Sequence, residues 1–300
     1  MPRPKGKTIL IGVALFFAFL LWRFPYRNLR GYVYGQIYKT TQIRVDSEDL
    51  SPVFFGWPGV ALYNATVGIP MGRTSEIEIQ AKQITARVGI GSLFPPAPSL
   101  SLYFYGLQKG GNLYAKGSQS KTSVSGTLSA EQVNLSPFLT AGLPEPIQGL
   151  LSASGSFNYD LNDLAKSTGV FDLKVDKLKI PGMNLEGIVL PAVAWDQVIA
   201  KIEMKNGSLD IVQCQFGSPK SDFHGTLSGA VRLGRDWWSS TINVLLKVQL
   251  SEQYRNDPQT ATLTSFLKTF ETAPGEYALK WNATPAEMST NLMLALPQKP

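Results

Sequence analysis

Few side chains in this 300-residue chain are of a type and spacing to do covalent or metal chemistry. There is one His, His224, and one Cys, Cys214. A hydrolytic triad needs a His base. His224 lies in Ser221-Asp222-Phe223-His224-Gly225-Thr226 and reads as a strand residue that is exposed or hydrogen-bonded. A single thiol permits no intrachain disulfide and no Cys-based zinc site, and a single imidazole permits no multi-His centre. Glu76 and Glu78 share a strand face, as do Asp172 and Lys174. Paired carboxylates do acid and base work in glycosidases, but on an alternating strand they read as the solvated side. Gly6-Lys7-Thr8 ends like a phosphate loop, yet Met1 stands where that motif needs its first Gly, and no strand precedes it. Gly89-x-Gly91 runs on to Phe94 where a dinucleotide fingerprint needs a third Gly. No G-x-S-x-G elbow is present. The sequence therefore assigns no catalytic residue, no cofactor and no metal ligand. Asn64, Asn134, Asn206 and Asn282 open Asn-x-Ser/Thr triplets, which mean little if the host is bacterial.

What remains is apolar. Ile9 to Trp22 is fourteen residues without a charge, short against the roughly 20 of a full span. Thr8 can lead in, Arg23 can snorkel, and Phe24 and Tyr26 suit the membrane. The expectation is an uncleaved anchor over residues 8–26, with Ile9, Leu15, Phe16 and Phe19 in its apolar body and Trp22 and Tyr26 in the interfacial belt. A cleaved signal peptide is the alternative, but FAFLLWRFPY holds no small-x-small cleavage site. Arg3, Lys5 and Lys7 are the topology charges of a cytoplasmic tail, residues 1–7. Residues 27–300 are then expected outside, which in a bacterium means the periplasm, since long domains translocate largely regardless of charge. Phe54-Phe55-Gly56-Trp57-Pro58 reads as core packing or as a loop in contact with the bilayer near the anchor, through Phe54, Phe55 and Trp57.

The charge agrees with that partition. The formal net charge is +6, from 28 basic and 22 acidic residues. Six of the basic residues (Arg3, Lys5, Lys7, Arg23, Arg27, Arg30) lie in residues 1–30, which hold no acid. The rest of the chain is balanced, 22 against 22. The excess concerns a membrane and argues against a nucleic-acid partner.

The elements beyond the anchor read as strands. Helical spacing of Leu29, Tyr32, Val33, Gln36 and Ile37 carries a helix to about Tyr38, weakened by Gly31 and Gly35. Then the period becomes two. Ile77, Ile79 and Ala81 alternate with polar residues, and Ile84, Ala86, Val88 and Ile90 continue after a phase slip that predicts a bulge or turn near Lys82–Gln83. Leu100–Leu107, Phe171–Val175 and Ile242–Leu250 repeat the pattern. Asn206-Gly207 predicts a two-residue hairpin between Ile202-x-Met204 and Leu209-x-Ile211. One longer helix is expected over 259–270, with Leu263, Phe266, Leu267 and Phe270 as its stripe. Ser136-Pro137 suggests a short turn, and 91–98 and 141–149 are the Pro/Gly breaks. The second divides the sheet into halves, 40–140 and 149–300. Gly126-Thr-Leu-Ser129, Gly149-Leu-Leu-Ser152 and Gly225-Thr-Leu-Ser228 echo one another, as in a sheet of similar hairpins. An outer-membrane barrel shares this alternation, but an N-terminal helix would hold the chain in the inner membrane.

Longer stretches carry a resemblance. Gly169–Gly182 reads G-x-F-D-L-x-V-D-x-L-x-I-P-G. It is followed by LPAVAWDQVIAKIEMKNGSLDI (190–211), SDFHGTLSGAVRL (221–233) and EYALKWNATPAEM (276–288). With the basic tail and single N-terminal span, this resembles the type II secretion system protein N family, in the longer form found in delta-proteobacteria. That family is similar in turn to AsmA-like inner-membrane proteins. The resemblance covers the whole chain and is most specific from about residue 120 onward. It implies a mainly β protein: one transmembrane helix, then an extended, curved antiparallel sheet with a few short helices. It implies a non-enzymatic, single-pass protein of the bacterial inner membrane, partnered by other secretion-system subunits. The AsmA-like kinship implies instead a groove whose apolar face guides phospholipid acyl chains. No catalytic residue carries over from either.

Overall fold

The computed structural model describes residues 26–54, 57–71, 75–93, 96–107, 110–136, 146–185, 188–234, 239–285 and 297–300. Helix α1 (Tyr26–Thr41) leads into β1 (Arg44–Asp46) and β2 (Asp49–Val53). Seven longer strands follow: β3 (Gly59–Met71), β4 (Ser75–Leu93), β5 (Pro96–Leu107), β6 (Asn112–Gln119), β7 (Ser123–Asn134), β8 (Gln148–Asp160) and β9 (Thr168–Ile180). A small hairpin, β10 (Met183–Leu185) with β11 (Ile188–Leu190), stands apart from the main sheet. Then come β12 (Val193–Lys205), β13 (Ser208–Phe216), β14 (Phe223–Arg232) and β15 (Thr241–Leu250). Helices α2 (Glu252–Asn256) and α3 (Ala261–Lys268) precede β16 (Glu271–Ala273) and β17 (Glu276–Ala283).

Fifteen of these strands form one antiparallel sheet. From β3 to β9 each strand pairs with the next in the chain; β12 follows β9, and the order closes β15-β17-β16. The protein is thus mainly β, one large antiparallel sheet with few short helices. The sheet runs across the 141–149 break without interruption, since β7 and β8 pair over most of their length. The 91–98 break is a hairpin, with strand running to Leu93 and resuming at Pro96. Pro98, which has no N–H to donate, lies where the β4–β5 register shifts.

The phase slip at Lys82 is a kink, with no turn. Ala81 and Ile84, an odd and an even residue, are both buried in the same cluster. Lys82 lies between the Ala65–Ala81 and Tyr63–Gln83 pairs, and between the partners Leu107 and Tyr105 on the other side. Its neighbours in those gaps, Asn64 and Gly106, both have positive φ, +46° and +64°. Three adjacent strands therefore reverse side-chain parity at one level, and the register is kept.

Two buried clusters pack on the sheet, one reaching from β2 to β7 and one at its C-terminal end. One joins Leu50, Leu62, Ala65, Ile79, Ala81, Ile84, Leu107, Ala130 and Val133. The other joins Phe216, Val248, Leu250, Tyr277 and Leu279 to Leu267 and Phe270. The expected helix over 259–270 is shorter than its apolar stripe: Pro258–Thr260 forms a 3-10 turn, α3 covers 261–268, and Phe270 follows the helix end. The stripe itself packs as read, with Leu263 and Phe266 against the same cluster. Helix α1 runs three residues past Tyr38. It docks through a face other than the predicted one: Tyr32 is exposed, while Tyr34 packs on the first cluster and hydrogen-bonds the Ser47 side chain. Arg30 donates to the carbonyls of Ser47 (2.6 Å) and Glu48 (3.2 Å). These two polar anchors set the rotation of the helix.

Candidate functional site

Strand alternation puts every second side chain on one face, and pairing decides which of them align across the sheet. One row runs Val60, Ala86, Leu102, Ala115, Leu128, Gly155, Phe171, Ile202, Ile211, Gly229, Val244, Trp281. It crosses the sheet from β3 to β17 without a polar side chain. On one side of it runs Leu62, Ile84, Phe104, Leu113, Ala130, Ala153, Leu173, Ala200, Cys214. Past the irregularity between β13 and β14 it resumes as Leu227, Leu246, Leu279. On the other side runs Val88, Leu100, Gly117, Gly126, Phe157, Gly169, Met204, Leu209, Val231, Ile242, Ala283. Three adjacent rows thus hold no charged group, and their polar atoms are limited to the Cys214 thiol and the Trp281 indole N–H.

The reverse face is polar. Its corresponding row reads Gly59, Arg87, Ser101, Lys116, Thr127, Ser156, Val170, Glu203, Asp210, Ala230, Asn243, Asn282. Asp172 and Lys174 are exposed on this side, as their spacing predicts. Glu78 is exposed and meets Arg44 at 2.8 Å.

Glycines on the apolar face make room for rings. A Cβ on Gly155 would stand 2.4 Å from the Phe171 ring, and one on Gly126 would stand 2.8 Å from the Phe157 ring. Each phenylalanine lies over the glycine of the next strand, which keeps the surface smooth as well as apolar.

Among the described residues the helices pack on β1 and β2, on β11 and on the C-terminal cluster, and no second layer lies over the middle strands. Several row members stay in contact with solvent: Val88 is 58% exposed, Leu100 45% and Leu128 36%. Soluble domains seldom leave a contiguous apolar surface open unless something is bound there.

His224 is part of a polar string at the sheet's C-terminal end. Its Nε2 meets Gln249 Oε1 at 2.7 Å, and its Nδ1 faces the Ser221 carbonyl at 3.2 Å. Gln249 Nε2 donates to Glu276 Oε1 at 2.9 Å. This is a hydrogen-bonded strand histidine, with no nucleophile in the string. Among the described residues no group of three or more His, Cys, Asp or Glu could hold a metal.

The other residues singled out by sequence fall as follows. Ile9, Leu15, Phe16, Phe19 and Trp22, with Arg3, Lys5, Lys7 and Phe55, lie outside the described residues. Tyr26 opens α1. No helix of the described residues is long and apolar enough to cross a membrane. Phe54 is 55% exposed. Trp57 is turned onto the polar face, its ring about 3 Å from where a Gly89 Cβ would stand. Comparison with family models, curated proteins and solved structures finds no match to this chain.

Proposed function

We propose that this chain is a non-enzymatic, single-pass protein of the bacterial inner membrane whose periplasmic sheet holds phospholipid acyl chains on its apolar face. The carrying observation is the continuity of the three rows together with the exposure of Val60, Val88, Leu100 and Leu128 in two of them. Twelve strands at about 4.8 Å spacing make a floor on the order of 50 Å long. One leaflet's chains occupy about half of a hydrocarbon core of roughly 30 Å, so the floor is longer than one acyl chain. Each methylene laid on it gains about 0.8 kcal/mol. Phe171, Ile202 and Ile211 are half-buried with no element over them, which supports a sheet curved toward its own apolar side. The uncharged 9–22 stretch supports an anchor that would set one end of the floor at the bilayer.

A photo-crosslinking residue tests this in the full chain expressed in bacterial membranes. At Leu128 or Phe171 it is expected to trap radiolabelled phospholipid. At Thr127 or Asp172, one residue away on the opposite face, capture is expected to fall at least tenfold. Equal capture from both faces, or none from either, would overturn the reading. A second reading, a subunit of the type II secretion apparatus, is favoured by the 169–182 and 221–233 stretches that carry the resemblance. Deletion that abolishes enzyme secretion and leaves the envelope intact would favour it.

A further inference from the structure

We propose that the polar face of β4–β6 is a binding site for an anionic saccharide. The face is not flat there. The Trp57 ring lies over the sheet and closes one side of a cavity of about 650 Å³, within the usual range for small-ligand sites. Gly89 provides the space, since a side chain there would collide with Trp57 and with Ser99 Oγ. Thr85 and Ser99 are buried beneath it, although both are on the polar side of their strands.

Two cations line the cavity. Arg87, Ser101 and Lys116 are register partners on successive strands, which places the two charged residues two strand spacings, about 10 Å, apart at the backbone. Among the described residues neither forms an ion pair, and no carboxylate lines the cavity. Elsewhere on this face Lys174 pairs with Asp176, and Lys205 with both Glu203 and Asp210. A cavity with two positive charges and no negative one calls for an anion.

The rest of the lining selects the kind of anion. Thr85 Oγ1 accepts from Gln83 Nε2 at 3.1 Å. The hydroxyls of Ser99, Ser101, Tyr103 and Tyr114 have no hydrogen-bond partner among the described residues and are free to donate and accept. Such groups match a ligand rich in hydroxyls. The three aromatic residues offer apolar ring surface for the C–H faces of a sugar. The Tyr103 and Tyr114 rings are 6.5 Å apart and tilted 55°, so they make no parallel slot for a nucleobase. Free phosphate would use the cations and leave the aromatic wall empty. The site is separated from the apolar rows by the thickness of the sheet and stands independently of the acyl-chain reading.

The test is titration calorimetry on the full chain in mild detergent. Probes are a galacturonate hexamer, a sulfated hexasaccharide, neutral maltohexaose, inorganic phosphate and a thymidine oligonucleotide. At least one charged oligosaccharide is expected to bind, maltohexaose is not, and phosphate is expected to bind at least tenfold more weakly. The double variant Arg87→Gln/Lys116→Gln and the variant Trp57→Ala are each expected to lose at least tenfold, with an unchanged circular dichroism spectrum. Leu128→Lys, on the other face, is expected to bind normally. The proposal is overturned if no charged oligosaccharide binds, if the neutral one binds as well, if phosphate or the oligonucleotide binds more tightly, or if the folded double variant binds unchanged.

Discussion

Cys214 is the chain's one thiol and stands on the floor of the apolar face, across from Ala200. Half-burial pushes its pKa above that of an ordinary cysteine, only partly opposed by a hydrogen bond from the Leu227 backbone. The thiolate is the reactive form. A raised pKa means a smaller thiolate fraction at every pH below it, so the side chain should be slow at neutral pH. Its rate should keep climbing with pH after an ordinary thiol has levelled off. Maleimide labelling of the full chain between pH 6.5 and 10 measures this. We expect labelling at pH 7 to be slower than for a free cysteine peptide, and slower again with phospholipid bound. Labelling at the free-peptide rate would mean that the floor at Cys214 is not sheltered as described.

At the level of single elements, the β12–β13 hairpin forms as its sequence demands. Asn206 and Gly207 occupy positive φ, +52° and +71°, between Lys205 and its partner Ser208. Gly207→Val puts a β-branched residue into that region, where the left-handed conformation costs roughly 1–2 kcal/mol. Chemical denaturation should show a loss of about that size, and Asn206→Gly should be nearly neutral. The hairpin, the strand alternation and the slip at Lys82 were legible because each is written in neighbouring residues. The three rows were not. A row depends on which residue of the next strand stands opposite, so the pairing of Gly155 with Phe171 leaves no trace in either segment alone. The rotation of α1 was hidden for the same reason, since Arg30 and Tyr34 find their partners at Ser47 and Glu48. Trp57 read as a candidate for membrane contact because the glycine that receives it is 32 residues further along the chain.

On the scale of the whole molecule, the described strands contact little besides their sequence neighbours. Such a structure approximates a row of units whose stability is a sum of local and nearest-neighbour terms, as in repeat proteins. The two hydrophobic clusters then stabilise opposite ends, with no shared core between them. Phe270→Ala removes a buried ring from the C-terminal cluster, at a cost of about 3–5 kcal/mol. In a single cooperative domain that loss would raise opening everywhere. Here it should raise amide hydrogen exchange in β14, β15 and β17 and leave β3, β4 and β5 close to wild type, because six strands intervene. Leu62→Ala in the first cluster should give the mirror image, with exchange rising in the strands that share that cluster, β2 to β7, and staying close to wild type in β14, β15 and β17. A uniform rise from either variant would show that the sheet unfolds as one unit. A separable response would also serve the proposed role, since the middle of the floor could loosen around an incoming chain while both ends remain closed.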